Sequence, residues 1–220
     1  MKKPAVFILL IGGLLSALTL HAHTTNYALQ NAPATDVIGY YFKLGFEHII
    51  PSGADHILFI AGLCLLSTHI KSIIWQVTAF TVAHSVTLAL SMKNVLVAPP
   101  AVVEPVIALS IMFIAVENML AKKLSRWRIA IVFLFGLVHG LGFASSLNET
   151  GLPPDKFFTS IIAFNAGVEI GQVAVIAAMF TLIINRLKNR NWYKQKVVYG
   201  LSALITLIAF YWTIERVFSM

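Results

Sequence analysis

Residues 48–56 read His48-Ile49-Ile50-Pro51-Ser52-Gly53-Ala54-Asp55-His56, and the fold is read outward from them. A Pro-Ser-Gly breaker separates two imidazoles and a carboxylate, with strongly apolar sequence on either side. Two more histidines sit in similar surroundings, in Ala83-His84-Ser85 and Val138-His139-Gly140. A further apolar stretch carries Asn165, Glu169 and Gln172. Charged and ionisable groups are costly in hydrocarbon, so they face a bundle interior and mark a site or a path.

The composition agrees with a membrane setting. Apolar residues make up 58% of the 220 residues and charged residues 11%, against about 25% charged in ordinary soluble domains. The chain reads as an all-α integral membrane protein. Its net charge of +7 does not indicate nucleic acid, because Lys and Arg gather at the N-terminus and in short connections, as membrane topology requires. The single cysteine, Cys64, excludes an intramolecular disulfide and reads as packing.

The N-terminus has the form of a bacterial secretory signal: Lys2 and Lys3, an apolar core Ala5–Leu20, and a small-residue cleavage site at Leu20-His21-Ala22. Residues 1–22 are therefore expected to be a signal peptide or uncleaved anchor. Cleavage would leave His23, with its amine and imidazole, as the first residue. Residues 23–36 read as an external lead-in and 37–220 as one polytopic transmembrane domain. Residues 37–50 suggest an interfacial or partly embedded helix, ended by Pro51-Ser52-Gly53. Six core spans follow, at about Gly53–Ser67, Ser72–Met92, Val102–Ala121, Arg128–Leu147, Phe157–Ile184 and Val197–Phe218.

Loop charge orients the bundle. Lys71, the run Lys122–Arg128 and the run Arg186–Lys196 alternate with the weakly charged 92–101 and the acidic 148–155 connections. The positive-inside rule sets the basic loops in the cytoplasm and the mature N-terminus outside. The expected location is a bacterial inner membrane, crossed several times.

This orientation makes the polar residues a depth map. Glu47, His48, Asp55, His56 and Glu104 fall at the outer mouth; His84, His139, Asn165 and Glu169 fall near the middle. Asn165, Glu169 and Gln172 share one helical face, as do Thr81, His84 and Ser85. Glu117 points away from the face of Glu104 and Asn118, toward a salt bridge with the basic loop. A lone membrane histidine can be an interhelical hydrogen-bonding group worth about 0.6 kcal/mol. Three costly residues at similar depth need a common reason, and imidazole with carboxylate suits a borderline divalent metal.

The pattern His48-x6-Asp55-His56 opening a short helix resembles the histidine–aspartate–histidine signature of the HupE/UreJ family. The segments FTVAHSVTLALS (80–91), VEPVIALSIMFIAVEN (103–118), FGLVHGLGFASSL (135–147) and FNAGVEIGQ (164–172) are similar to that family's membrane core. The resemblance covers roughly residues 38–185. It implies a nickel or cobalt permease, the metal ion its substrate, with zinc or copper compatible with the same ligands. The expected ligands are His48, Asp55 and His56 for capture, and His84, His139 and Glu169 for a central site. Ser85, Asn165, Gln172 and Glu104 are expected to support them. No nucleotide-binding G-x-x-x-x-G-K-[ST] motif is present. The partners expected are the metal ion and the bilayer, without nucleic acid, and self-association stays open. The rival reading is an intramembrane zinc hydrolase acting on a lipid-like substrate, with a metal-bound water beside Ser85.

Overall fold

The computed structural model describes residues 27–121 and 127–219, and the described residues form helices and no strands. The signal segment with His21 and His23, and Lys122–Arg126 of the basic loop, lie outside the described residues. After a short turn at Tyr27–Gln30 come α1 (Ala34–Ile49), α2 (Ala54–Leu66), α3 (Ile70–Met92) and α4 (Pro100–Leu120). They are followed by α5 (Arg128–Thr150), α6 (Phe157–Met179) and α7 (Tyr199–Phe218). Wider π-type turns extend α6 over Phe180–Ile184 and precede α7 over Tyr193–Val198.

Helices α3, α4, the extended α6 (Pro154–Leu187) and the extended α7 (Tyr193–Phe218) are each long and apolar enough to cross a membrane. Helices α1 and α2 pass the same test together, as a pair bent by 65°. The chain is thus an all-helical, multi-pass membrane protein. Of the six expected spans, Gly53–Ser67 becomes the second arm of this bent pair. Helix α5 carries an apolar stretch over Arg128–Ala144, inside the expected span Arg128–Leu147.

The helix expected at 37–50 is α1, Ala34–Ile49, which runs along α6. Lys156 Nζ donates to the Gln30 carbonyl, Gly45 abuts the Phe164 backbone, and Gly171 abuts Ile49. The paired numbers rise together, so the two helices run parallel. The buried stripe is Val37, Tyr41, Gly45 and Ile49, four residues apart. Exposed Ile38, Tyr40 and Phe42 lie on the other faces of α1, which is why its sequence looks two-sided. Pro51-Ser52-Gly53 then ends the helix and turns the chain inward.

Three helix pairs, α1/α6, α3/α5 and α4/α7, surround α2. Helix α2 is buried on nearly every side, through His56, Phe59, Ile60, Gly62, Leu63, Cys64 and Leu65. Its 13 residues span about 20 Å, too little to cross about 30 Å of hydrocarbon alone. Helices α3 and α5 also run parallel and come very close. A Cβ on Gly136 would meet the Phe80 carbonyl, and one on Gly140 would meet the His84 carbonyl and the Thr87 hydroxyl. Small residues allow this approach in membranes, and here it fixes His84 beside His139.

Candidate metal centre

The bend between α1 and α2 builds the site. His48 lies in the last turn of α1 and His56 in the first turn of α2. The break folds one imidazole against the other, with ring centroids 4.7 Å apart. His84, midway along α3, closes the group at 6.0 Å from His48 and 5.9 Å from His56. One ring nitrogen from each of the three lies within 4.8 Å of the others. A metal binds imidazole at about 2.0–2.1 Å, so small side-chain rotations would bring all three onto one ion.

The hydrogen bonding of this cluster is incomplete in a way that suits a cation. Nε2 of His48, Nε2 of His56 and both nitrogens of His84 are buried with no hydrogen-bond partner. Each such group costs about 1–3 kcal/mol. Three of them, one from each ring, converge at one point, and that fits a position that a cation fills. The amide oxygen of Asn165 is buried beside the His84 ring, close enough to orient it.

His139 stands next to the trio, 5.2 Å from His56 between centroids. Its tautomer follows from its neighbour. Ser110 Oγ donates to the Ile107 carbonyl at 2.7 Å, so its proton is committed. The 3.1 Å contact with His139 Nε2 is therefore an Nε2–H donating to Ser110, which leaves the Nδ1 lone pair free. Nδ1 is buried and unpartnered. A hydroxyl holding one nitrogen so that the other can ligate is a common support for metal-binding histidine.

Beneath the imidazoles lies an aromatic floor. Phe80 is 5.8 Å from His56 and 4.9 Å from His139; Phe59 is 5.4 Å from His139 and 5.1 Å from Phe80. Above them a cavity of about 420 Å³ opens. It is lined by His48, His56 and His139, by Asp55 and the 52–54 turn, and by Glu104 and Phe143. Trp212 and Arg216 of α7 complete its rim. The α1–α2 break, the first turns of α4 and the last turns of α7 all meet at this end of the bundle. The cavity therefore opens there, opposite the connections that carry the basic loops.

The rim holds one more cation. Arg216 Nη2 donates to both carboxylate oxygens of Asp55 at 3.0 Å, and Nη1 donates to the Glu104 carbonyl at 3.2 Å. The guanidinium also lies over the Trp212 ring. Asp55 thus faces an arginine rather than the imidazoles. Glu104 is exposed, and its backbone carbonyl, not its carboxylate, holds Arg216.

The expected ladder of two separate ligand groups is redistributed. His48 and His56, expected at the mouth, join His84, expected at the centre, because α1 descends into the bundle before the chain breaks. Glu169 lies elsewhere: its carboxylate accepts from Thr78 at 3.0 Å. Thr78 lies six residues before His84 on α3, about 9 Å along the axis. Gln172 accepts from Thr81 at 2.7 Å, so this polar face of α6 stitches α6 to α3. Ser85 donates to the Thr81 carbonyl of its own helix at 2.6 Å. Ser110 and Arg216 were not singled out in sequence. Ser110 carried a faint signal, a hydroxyl six residues along α4 from Glu104; Arg216 reads only as a charge near the last turn.

The chain matches one family model, described as HupE / UreJ protein, over residues 23–216. No curated protein and no solved structure matches it.

Proposed function

This chain belongs to the HupE/UreJ family, and we propose that it is a permease carrying a divalent transition metal, nickel or cobalt before zinc or copper, into the cytoplasm. The observation that carries this reading is the trio of half-buried His48 with buried His56 and His84, one ring nitrogen from each lying within 4.8 Å of the others, where His48 and His56 line a cavity open at one end. Imidazole donors suit these metals alike, so the preference for nickel or cobalt follows the family association. His139 is the fourth donor on offer.

The direction follows from loop charge. The cavity lies opposite the connections bearing Lys71, Arg128 and Arg186–Lys196, so the positive-inside rule gives a mouth facing outside and a basic cytoplasmic end. We place the protein in a bacterial inner membrane with its mature N-terminus outside. An ion entering from outside meets the Asp55 and Glu104 rim, sheds water against the cavity wall, and passes to the histidines. Replacing hydration by fixed donors is what makes a dication tolerable at that depth.

The hydrolase reading keeps one observation in its favour: the imidazoles form a single cluster, where a bound zinc would have an open position for water. Ser85 is engaged with its own helix, however, and the cavity opens along the bundle axis. Proteoliposomes containing the purified full chain separate the two. Under the transport reading, external nickel or cobalt accumulates inside, and His84→Ala abolishes accumulation while the protein remains folded. Equal accumulation by His84→Ala, or no accumulation by the wild type with metal-dependent ester or amide cleavage, would remove the permease reading. Orientation is checked in a Cys64→Ser background: an impermeant thiol reagent added outside should label Asn148→Cys and not Ser125→Cys.

A further inference from the structure

The opposite end of the bundle holds a second arginine, and it is buried. Arg128, the first residue of α5, has a side chain 1% exposed and pairs with Glu117 at 3.0 Å. Its Nε donates to Gln76 Oε1 at 3.0 Å and its Nη2 to Asn118 Oδ1 at 3.4 Å. Asn118 Nδ2 in turn donates to the Gly62 carbonyl at 2.8 Å and to Ser202 Oγ at 3.3 Å. Five helices, α2, α3, α4, α5 and α7, are joined through this one knot.

Packing alone does not account for the knot. A buried ion pair is often no more stabilising than apolar residues of the same volume, because both charges must leave water. What it offers is an interaction whose parts water can solvate once they separate. It also stands in a telling position: cavity, imidazoles, the Phe59 and Phe80 floor, then this network, follow one another along the axis. The donors converge on the cavity side, and the polar closure lies on the side where the ion must leave.

Resting on the transport reading, we propose that the Arg128–Glu117 pair, braced by Asn118 and Gln76, is the inner seal of the metal path. It is closed while the cavity is open to the outside, and it parts to let the ion reach the cytoplasm. Arg128 is a positioning residue for the helices and touches no metal. Its parting would free α2, the central helix, which carries both His56 and the Gly62 carbonyl. Ion release and loss of one histidine ligand would then be one movement.

The chain carries its own reporter. Cys64, its only cysteine, is fully buried on α2, two residues after Gly62 and within electrostatic reach of Arg128. The test is modification of Cys64 in the full chain, in inside-out vesicles, by a membrane-impermeant thiol reagent and without metal. Wild-type protein should react slowly. Glu117→Gln, which removes the charge and keeps the shape, should raise the rate by about tenfold or more. The exchanged pair Glu117→Arg with Arg128→Glu should bring it back toward wild type, and Arg128→Lys should fall between. Cys64 as slow in Glu117→Gln as in wild type overturns the seal. A fast rate that neither the exchange nor Arg128→Lys lowers does so too. Should Glu117→Gln fail to fold, the ordering of Arg128→Lys and the exchange decides. Because the readout uses no metal, failure of the seal is distinct from failure of the permease reading, which only the flux assay reports.

Discussion

The two ends of this bundle each hold an arginine on a carboxylate, and the two pairs differ in surroundings. Arg216 and Asp55 keep 20% and 25% of their side chains exposed and face a cavity. Arg128 and Glu117 keep 1% and 16%, with two further polar partners, Gln76 and Asn118. Partly exposed pairs are screened and contribute about 0–1 kcal/mol. A buried pair resists separation, since one partner left alone stays charged in low dielectric. Under the proposed transport reading, the outer arginine is thus a cation that an arriving ion can displace cheaply. The inner one holds helices together.

The largest expected effect tests that contrast directly. Arg128→Ala leaves Glu117 half-buried and unpaired and removes the side chain that joins α3 and α4 to α5, and should cost about 2–4 kcal/mol of stability, somewhat below the loss for a fully buried pair. Arg216→Ala leaves Asp55 at the rim, open to water, and should cost about 1 kcal/mol or less. Thermal or denaturant unfolding in detergent measures both. Equal losses would mean that the outer pair is structural too, and the functional contrast between the ends would fail.

Next in size is the loss of a ligand between the two ends. His56→Ala removes a donor of the trio and, in the proposed centre, should weaken nickel binding by about 100-fold. His139→Ala should weaken it by about 10-fold, in the range seen when supporting groups are lost. Equilibrium metal titration of the purified protein gives both. A larger loss for His139 would shift the centre toward α5 and away from the α1–α2 bend.

Helix existence was legible in the sequence because long apolar runs between charged loops have few other solutions. The bent span was not. Val37, Tyr41, Gly45 and Ile49 form a narrow buried stripe beside exposed Ile38, Tyr40 and Phe42, and lipid and protein interior reward the same side chains. Helix α1 therefore read as interfacial or partly embedded, and His48 was not grouped with His84. The histidines were legible as types, since an imidazole in an apolar run is conspicuous. Their grouping was not, because it depends on the angle at Pro51-Ser52-Gly53 and on the close α3–α5 approach at Gly140. Arg128 counted as one more loop charge. The out-of-phase Glu117 was expected to pair with the basic loop, and it pairs with Arg128, the last residue of that run.

The smallest effect concerns the rim, and it separates attraction from attachment. With Arg216 in place, the charge of Asp55 is largely matched, so an approaching dication is drawn mainly by Glu104. Arg216→Gln releases Asp55, makes the mouth more negative, and raises the local concentration of cations there. The half-saturating metal concentration for uptake should fall by about threefold at low ionic strength, and the difference should shrink as salt screens the field. Asp55→Asn removes the attraction and should raise that concentration. In the double variant, Arg216→Gln should add nothing to Asp55→Asn, because residues that act on one another do not add. Uptake titrations on the four proteins at two salt concentrations decide this. If Arg216→Gln instead raised the half-saturating concentration, or still acted after Asp55→Asn, Arg216 would be holding α7 in place rather than standing in for the ion, and the rim would resemble the buried end after all.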